Sequence, residues 1–252
     1  MNRPQLVTAA ALNLAERHDA PLRAQGLRTA DNGGLWRCYD DNDAPFLAAI
    51  TTEFDLDPAA ATAVARDLAA QRQGTVFICD SFNNLELADA GLHLHPDAPT
   101  YMRPPGPPVD EPNPEGLEIR IATREADLPA WDAIERAAFG GAPLRTQLAP
   151  PALLDDPRFY FFVARLDGEA VACATALLEN GITGVYDVGT LPSARGRGIA
   201  SALMRRTLGI APYAPTVLQP STMAEAMYRR LGFAEIARFR RWATVTPEEW
   251  GP

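Results

Sequence analysis

Lysine is absent from this 252-residue sequence, so all 23 basic residues other than the histidines are arginines. A Walker-type nucleotide-binding loop places a lysine on the phosphates, and Schiff-base or pyridoxal chemistry requires a lysine amine. The absence of lysine therefore excludes both classes. Acidic residues number 32, which gives a formal net charge of -9. Because nucleic acids and anionic membranes attract positively charged surfaces, we expect neither as a partner.

Cysteine is also scarce, and the three cysteines (Cys38, Cys79 and Cys173) include no C-x-x-C spacing. This pattern predicts neither a disulfide framework nor a structural zinc site. His93 and His95 lack a third ligand nearby in the sequence, so we expect a surface pair and no bound metal. No stretch approaches the ~20 apolar residues of a membrane span, and polar residues interrupt the first helix candidate. These absences predict a cytoplasmic protein.

The clearest boundary in the chain is a proline-rich run over residues 104–114. Such a run sustains neither a helix nor a central strand and is expected to be extended. We therefore predict an α/β domain over residues 1–103, a linker over 104–114 and a second domain over 115–252. Each of the two flanking segments is long enough for a domain.

The second segment predicts a mixed α/β sheet in the order β-α-(loop)-β-β-β-α-β-α-β. Asp167-Gly168 and Asn180-Gly181 are two-residue hairpin signals between apolar strands. An amphipathic helix is predicted from Gly198 to about Leu208. A second helix is predicted over residues 222–231, with a capping box formed by Thr222 and Glu225.

The loop Arg195-Gly196-Arg197-Gly198 lies between a predicted strand and the helix from Gly198. The first N–H groups of a helix lack intrahelical partners, and the helix dipole is positive there. Together with two arginines, these groups predict a site for a phosphate or pyrophosphate. The alternative is a surface loop that uses glycine only for turning and arginine only for solubility. A Rossmann fingerprint is disfavoured because Ser201 replaces its third glycine.

Three segments in the expected order resemble the GCN5-related N-acetyltransferase (GNAT) family. Residues 195–200 match its Q/R-x-x-G-x-G/A loop, residues 221–233 resemble its N-x-x-A-x-x-x-Y-x-x-x-G-F segment, and residues 123–129 resemble the entry to its first helix. The resemblance covers about residues 117–245. It implies a strongly twisted sheet in which two strands splay apart, with acetyl-CoA in the cleft between them and no metal.

The resemblance also implies roles for individual residues. Backbone groups at the splayed strand end and the phosphate loop are expected to hold acetyl-CoA, through Val188, Gly189, Thr190, Arg195, Gly196, Arg197, Gly198, Ile199, Ala200 and Ser221. Ser221 stands where family members often have asparagine, so it either keeps part of that polar contact or lies near the helix cap. Tyr228 occupies the family's general-acid position, although it also fits a packing role beside Ala224 and Leu231.

The general base is not defined by the resemblance. The second segment contains no histidine, so a carboxylate, water or no base at all remains possible. Asp187 is the best candidate because it precedes the acetyl-CoA loop, but a solvated strand face explains it equally well. Glu179 is a weaker alternative. Cys173 lies in an apolar strand and is expected in the core.

The first segment resembles the degenerate N-terminal half of tandem-domain acetyltransferases. Its loop between strand and helix contains Glu53, Asp55 and Asp57 but no glycine or arginine, and these charges would repel a pyrophosphate. The segment would then wall the acceptor side of the active cleft. An unrelated α/β cap domain is the alternative.

The sequence thus indicates an acetyl-CoA-dependent N-acetyltransferase that acetylates a primary amine by direct attack in a ternary complex. A catalytically silent CoA-binding regulatory or sensor protein is the first alternative, and an interaction protein with two degenerate domains is the second. Neither the amine acceptor nor the oligomeric state follows from the sequence.

Overall fold

The computed structural model describes residues 1–42, 46–141 and 145–250. The chain forms two compact units. The first unit comprises Met1–Thr100 together with the chain from Glu235 onward, and the second comprises Tyr101–Ala234. Both units combine helices with a mixed sheet, so the predicted α/β class is confirmed.

The helices and strands are numbered along the chain. The strands are β1 Thr29–Asp31, β2 Leu35–Cys38, β3 Ala49–Thr51, β4 Phe77–Asp80, β5 His93–Arg103, β6 Leu117–Ile121, β7 Phe159–Leu166, β8 Glu169–Glu179, β9 Ile182–Thr190, β10 Thr216–Leu218 and β11 Ala234–Ala243. The helices are α1 Arg3–Ala24, α2 Pro58–Gln71, α3 Leu128–Phe139, α4 Ile199–Leu208, α5 Glu225–Arg230 and α6 Pro247–Trp250.

The first unit orders its strands β1-β2-β3-β4-β11. All neighbours are antiparallel except β3 and β4, which are parallel and are joined through α2. Its apolar core lies between α2 and the strands and includes Ala61, Leu68, Ile78 and Trp242. Asp57 begins α2 by accepting a hydrogen bond from the backbone N–H of Ala59.

The second unit orders its strands β6-β7-β8-β9-β10, and the last three residues of β5 pair with β10. The hairpins β7–β8 and β8–β9 turn at Asp167-Gly168 and Asn180-Gly181, where all four residues have positive φ angles of 52–88°. Two-residue hairpin turns require this conformation, and both predicted hairpins are confirmed.

Two helices cover opposite faces of the second unit's sheet. On one face, the Trp131 ring of α3 packs edge-on against Phe161, and its Nε1 donates to the carbonyl of Ala174 at 3.1 Å. On the other face, Ile199 and Leu203 of α4 pack against the alternate residues of β7 and β8. Successive residues of a strand point to opposite faces, so β8 serves both packing layers.

The chain does not divide at the proline-rich run as predicted. Strand β11 was expected in the second domain, but it pairs antiparallel with β4 and places Trp242 in the core of the first unit. Conversely, Tyr101–Arg103 of β5 pair with β10 in the second unit. Each unit therefore contains a strand from the other half of the sequence, because distant pairing rather than chain proximity decided their places.

The proline-rich run of residues 104–114 forms neither helix nor strand, and it packs along the second unit. Arg103 donates to three carbonyls of the run, with that of Pro107 nearest at 2.6 Å. Arg205 of α4, only 9% exposed, forms a 2.9 Å ion pair with Glu111. These contacts fix the run to the unit in which residues 115–234 lie.

Two smaller expectations are wrong. The helix predicted over residues 222–231 begins only at Glu225, and Ala224 precedes it without a side-chain cap, so Thr222 and Glu225 form no capping box. His95 was expected at the surface but is buried, its Nε2 lies 2.8 Å from the carbonyl oxygen of Val245, and Phe77 packs edge-on against its ring. His93 alone is exposed.

Candidate functional site

The start of α4 is open to an anion. Gly196 and Gly198 have φ angles of 75° and 76°, a left-handed conformation that glycine adopts without strain. Gly198 is the N-cap and offers no side chain to the helix. The first intrahelical bond runs from the N–H of Ala202 to the Gly198 carbonyl, which leaves the N–H groups of residues 199–201 available. A Cβ on Gly196 would meet no atom within 4 Å.

The two arginines of this loop differ in what they contact. The guanidinium of Arg195 donates to the carbonyl of Thr190 at 3.1 Å and to that of Ala138 at 3.3 Å. Arg195 therefore joins the end of β9 to the end of α3. Arg197 is exposed and, within the described residues, contacts no partner. Of the two guanidinium groups, that of Arg195 is therefore the one engaged by backbone carbonyls.

Strand β9 leaves its partner β10 early. The two strands pair only through Thr183 and Gly184, whereas β9 continues to Thr190 along β8. The far half of β9 thus lacks β10 on one side, and its backbone includes the predicted contact residues Val188, Gly189 and Thr190. This matches the expected splay between two parallel strands joined by the loop and α4.

Asp187 sits at an irregularity that the sequence did not reveal. Its φ angle is 55°, and the register between β8 and β9 shifts by one residue beside it, which is a β-bulge. The Sγ of Cys173 donates to the carbonyl of Asp187 at 3.4 Å. The bulge turns the strand just before Val188, so it sets the direction of the backbone groups that follow.

Cys173 is fully buried, as predicted, in a setting that does not favour a thiolate nucleophile. Burial raises the pKa of its thiol well above the usual value, and the carboxylates of Asp187, Glu135 and Asp132 raise it further. Glu135 is 7% exposed and lies four residues after Trp131 on the buried stripe of α3. Sequence reasoning missed it, although a carboxylate beside an apolar stripe is a readable signal.

Tyr228 lies in α5 within an apolar cluster. It is 5% exposed, packs edge-on against Phe233 and shares its cluster with Val185 and Leu218 of the diverging strands. Burial raises the pKa of its hydroxyl to about 12. Among the described residues the hydroxyl has no hydrogen-bond partner. Both interpretations of the sequence therefore fit, because the ring packs while the hydroxyl is available.

The remaining predicted residues occupy different places. Ile199 is buried at the start of α4, and Ala200 follows it at the same helix end. Ser221 is exposed, and its carbonyl accepts a hydrogen bond from the N–H of Ala224, which is the N-cap of α5. Glu179 forms a 2.6 Å ion pair with Arg158 at the hairpin end of β8, the opposite end of β9 from the bulge.

Neither a metal cluster nor a membrane helix is found in the described chain. In residues 1–42, 46–141 and 145–250, no three His, Cys, Asp or Glu residues are grouped to hold a metal ion. Over the same residues, no helix has both the length and the apolar character needed to cross a membrane.

Comparison with known proteins identifies the domain built around this loop. Residues 157–235, which include β7–β10, α4 and α5, match the family model for the acetyltransferase (GNAT) domain. This match assigns residues 157–235 to a GNAT acetyltransferase domain. The family resemblance predicted from residues 195–200 is thereby confirmed.

Relatives of the GNAT domain include named enzymes. The chain is 34% identical over 137 residues to a mycothiol acetyltransferase of Streptomyces griseus, covering 48% of this chain and 44% of that protein. It is 33% identical over 162 residues to a mycothiol acetyltransferase of Streptomyces avermitilis, covering 57% and 52%. The chain thus spans about half the length of the curated relatives it matches.

A solved structure extends the GNAT likeness to most of the chain. A GCN5-related N-acetyltransferase of Kribbella flavida superposes with a TM-score of 0.69 at 23% identity, covering 92% of this chain and 95% of that one. At this identity the likeness establishes the fold alone. The GNAT fold is therefore confirmed.

Proposed function

We propose that this protein transfers the acetyl group of acetyl-CoA to a primary amine by direct attack in a ternary complex. One observation carries the proposal: the open start of α4 directly follows the half of β9 that has left β10. A helix start binds phosphate, and a free strand edge binds an extended amide chain. Acetyl-CoA contains both groups in succession.

The residues around the loop fit this cosubstrate. The N–H groups at Ile199 and Ala200, with the exposed Arg197, would hold the pyrophosphate. Backbone groups of Val188 and Thr190 would pair with the pantetheine arm. Ser221 would add a polar contact only from the surface, since it is exposed and precedes α5.

Acetyl-CoA supplies an acetyl group activated as a thioester. In the transfer, a bond forms between the amine nitrogen and the acetyl carbon, the carbon–sulfur bond breaks, one proton leaves nitrogen and one proton reaches sulfur. Backbone N–H groups beside the bulge at Asp187 would polarise the acetyl oxygen. The phenol of Tyr228 is protonated at neutral pH, and it would donate its hydroxyl hydrogen to the departing sulfur.

Two carboxylates are candidates for the general base that accepts the amine proton. Asp187 is half-buried at the bulge, and its charge acts on Cys173. Glu135 acts on the same thiol from α3. An amine that arrives neutral needs only water, so the proposal does not depend on either carboxylate. These acidic groups favour a cationic amine electrostatically.

We also propose that the first unit is a degenerate GNAT-like domain without an acetyl-CoA site. Its segment before α2 contains Glu53, Asp55 and Asp57, and neither arginine nor glycine. Asp57 places a carboxylate on the helix start itself. The full chain should therefore bind one acetyl-CoA.

The decisive experiment is a screen of amines with acetyl-CoA, read as thiol release, together with calorimetry of acetyl-CoA binding. The panel includes polyamines, aminoglycosides, amino acids, peptides and the acceptor used by the mycothiol acetyltransferases. Thiol release dependent on one class of amine supports the proposal and names the acceptor. Binding of one acetyl-CoA without release for any amine would instead support a CoA-binding sensor, and absence of binding would refute both.

A further inference from the structure

Helix α5 is too short to hold its own position. It has six residues, and its N-cap, Ala224, provides no side-chain hydrogen bond. Isolated helices of this length are unstable in water, so their positions depend on contacts with the rest of the fold. Because α5 carries Tyr228, the groups that hold α5 decide where that hydroxyl lies.

The main polar contacts to α5 come from β5, a strand that belongs to the first half of the sequence. Tyr101, which is fully buried, donates its hydroxyl hydrogen to Glu225 Oε2 at 3.2 Å. Arg229 Nη2 donates to the same hydroxyl oxygen, and its Cζ lies 5.1 Å from the centroid of the Tyr101 ring. Glu225 and Arg229 also approach each other to 3.7 Å. One hydroxyl therefore joins the first and fifth residues of the helix.

A second contact from β5 holds the other end of α5. Arg103 Nε donates to the carbonyl of Leu231, the residue just after the helix, at 3.0 Å. Tyr101 and Tyr228 also share one apolar cluster with Leu231 and Phe233. The helix is thus fixed at its start by a hydroxyl and at its end by a guanidinium.

We propose that Tyr101 is a positioning residue that holds α5, and with it the Tyr228 hydroxyl, at the diverging ends of β9 and β10. The inference rests on the proposed function for its catalytic consequence. It gives the first half of the sequence a role in the reaction that does not require a second acetyl-CoA site, because β5 supplies the anchor of the helix.

Kinetics of the full chain test the proposal through a double-mutant cycle. Tyr101→Phe keeps the buried ring and removes only the bridging oxygen. We expect kcat to fall by roughly tenfold to a hundredfold, which is the cost of a small misplacement, with KM for acetyl-CoA within about twofold. In a Tyr228→Phe background the same change should alter kcat less than about twofold, because the group it positions is already gone.

A matched control separates positioning from general damage. Tyr160→Phe removes the hydroxyl of a half-buried tyrosine in β7, which packs in a different apolar cluster from Tyr101 and Tyr228, and should leave kcat unchanged. Equal losses of kcat from Tyr101→Phe in both backgrounds would overturn the proposal. A Tyr228→Phe enzyme with wild-type kcat would overturn it too, since Tyr101 would then have no catalytic group to position.

Hydrogen exchange tests the anchor without any turnover. Amides in residues 225–231 should exchange at least about tenfold faster in Tyr101→Phe than in the wild type, and at the wild-type rate in Tyr160→Phe. Unchanged exchange in α5 would refute the anchoring role even if the protein acetylates amines. Faster exchange in a protein that acetylates no amine would retain the anchor and refute the proposed function instead.

Discussion

Each unit contains two parallel strands joined by a crossover helix, β3–α2–β4 in the first and β9–α4–β10 in the second. The two helix starts differ. Asp57 caps α2 and bonds the N–H of Ala59 at 3.0 Å, whereas Gly198 leaves the start of α4 open. The same backbone arrangement therefore presents a carboxylate in one unit and free N–H donors in the other.

The ends of the parallel strand pairs, β3–β4 in the first unit and β9–β10 in the second, also differ. Beyond the last pair of β3 and β4, Thr51 Oγ1 accepts from the N–H of Ser81 at 2.7 Å and contacts Asp80 at 3.4 Å. These buried side chains bridge the two strands. Beyond Gly184, β9 is no longer paired with β10. Topology alone thus does not make a ligand site, because side chains decide whether the donors and the gap remain free.

The largest expected effect concerns what holds the first unit together. Trp242→Ala removes a ring that is 3% exposed in its core, and we expect the free energy of unfolding to fall by about 3–5 kcal/mol. Urea unfolding followed by near-UV circular dichroism measures this. Glu235→Gln, at the exposed start of the same strand, should cost less than about 1 kcal/mol. A loss below 1 kcal/mol in Trp242→Ala would contradict the assignment of β11 to this core.

The N-cap residues of α4 and α2, Gly198 and Asp57, can be interchanged by mutation. Gly198→Asp would place a carboxylate beside the open N–H groups, as Asp57 does in α2, and should weaken acetyl-CoA binding by about a hundredfold or more. The new Cβ would lie 3.7 Å from Pro114, so it fits, although the positive φ adds strain. Gly198→Ala carries that strain without the charge. Calorimetry measures both.

The control for this exchange lies in the first unit. Asp57→Gly should reduce stability by only a few tenths of a kcal/mol and should create no second binding event. Equal acetyl-CoA affinities in Gly198→Asp and Gly198→Ala would show that the added negative charge is not what weakens binding. Binding of two acetyl-CoA molecules by Asp57→Gly would mean that this one side chain accounts for the difference in acetyl-CoA binding between the two units.

All three histidines lie in the first segment, so mild acid should affect the two units unequally. Burial, with a further contribution from the Arg17 charge, lowers the pKa of His18 to about 3. Because the unfolded chain binds a proton near pH 6.5 and the folded chain does not, stability is full above that pH and falls as the pH drops toward 3. We expect a loss of about 2 kcal/mol at pH 5.

The measurement compares urea unfolding at pH 7 and pH 5. His18→Asn should lose this part of the pH dependence, whatever its stability at pH 7, whereas the exposed His93→Gln should retain it. Equal pH dependence in His18→Asn and the wild type would show that His18 is not the group responsible.

The smallest effect separates the two arginines of the loop. Arg197→Gln should weaken acetyl-CoA binding by about fivefold at low salt and reduce its salt dependence, because an exposed charge contributes up to about 1 kcal/mol. Arg195→Gln should change affinity less than about twofold and keep the salt dependence, since Arg195 serves two backbone carbonyls. Calorimetry at about 50 and about 200 mM salt measures the affinity and its salt dependence, since the Debye length changes about twofold between these concentrations. If Arg195→Gln weakened acetyl-CoA binding more than Arg197→Gln, Arg195 would be the arginine that contacts the phosphates.

The sequence by itself determined the local structures that depend only on residues adjacent in the chain, such as turns and helix starts. Asp167-Gly168 and Asn180-Gly181 require positive φ angles, so both hairpins were readable. Gly196 and Gly198 before an amphipathic helix marked the open helix start for the same local reason. The order of strands and helices over residues 117–234 followed from such signals.

Tertiary structure alone decided which groups meet. The pairing of β11 with β4 and of β5 with β10 leaves no local trace, because any apolar strand can pair with several others until packing selects one. The bulge at Asp187 arises from the fit between β8 and β9, and the direction of Arg195 from the nearby end of α3. The first half of the sequence therefore supplied Tyr101 to α5 for a reason that only the folded sheet contains: the free edge of β10 lies where β5 ends.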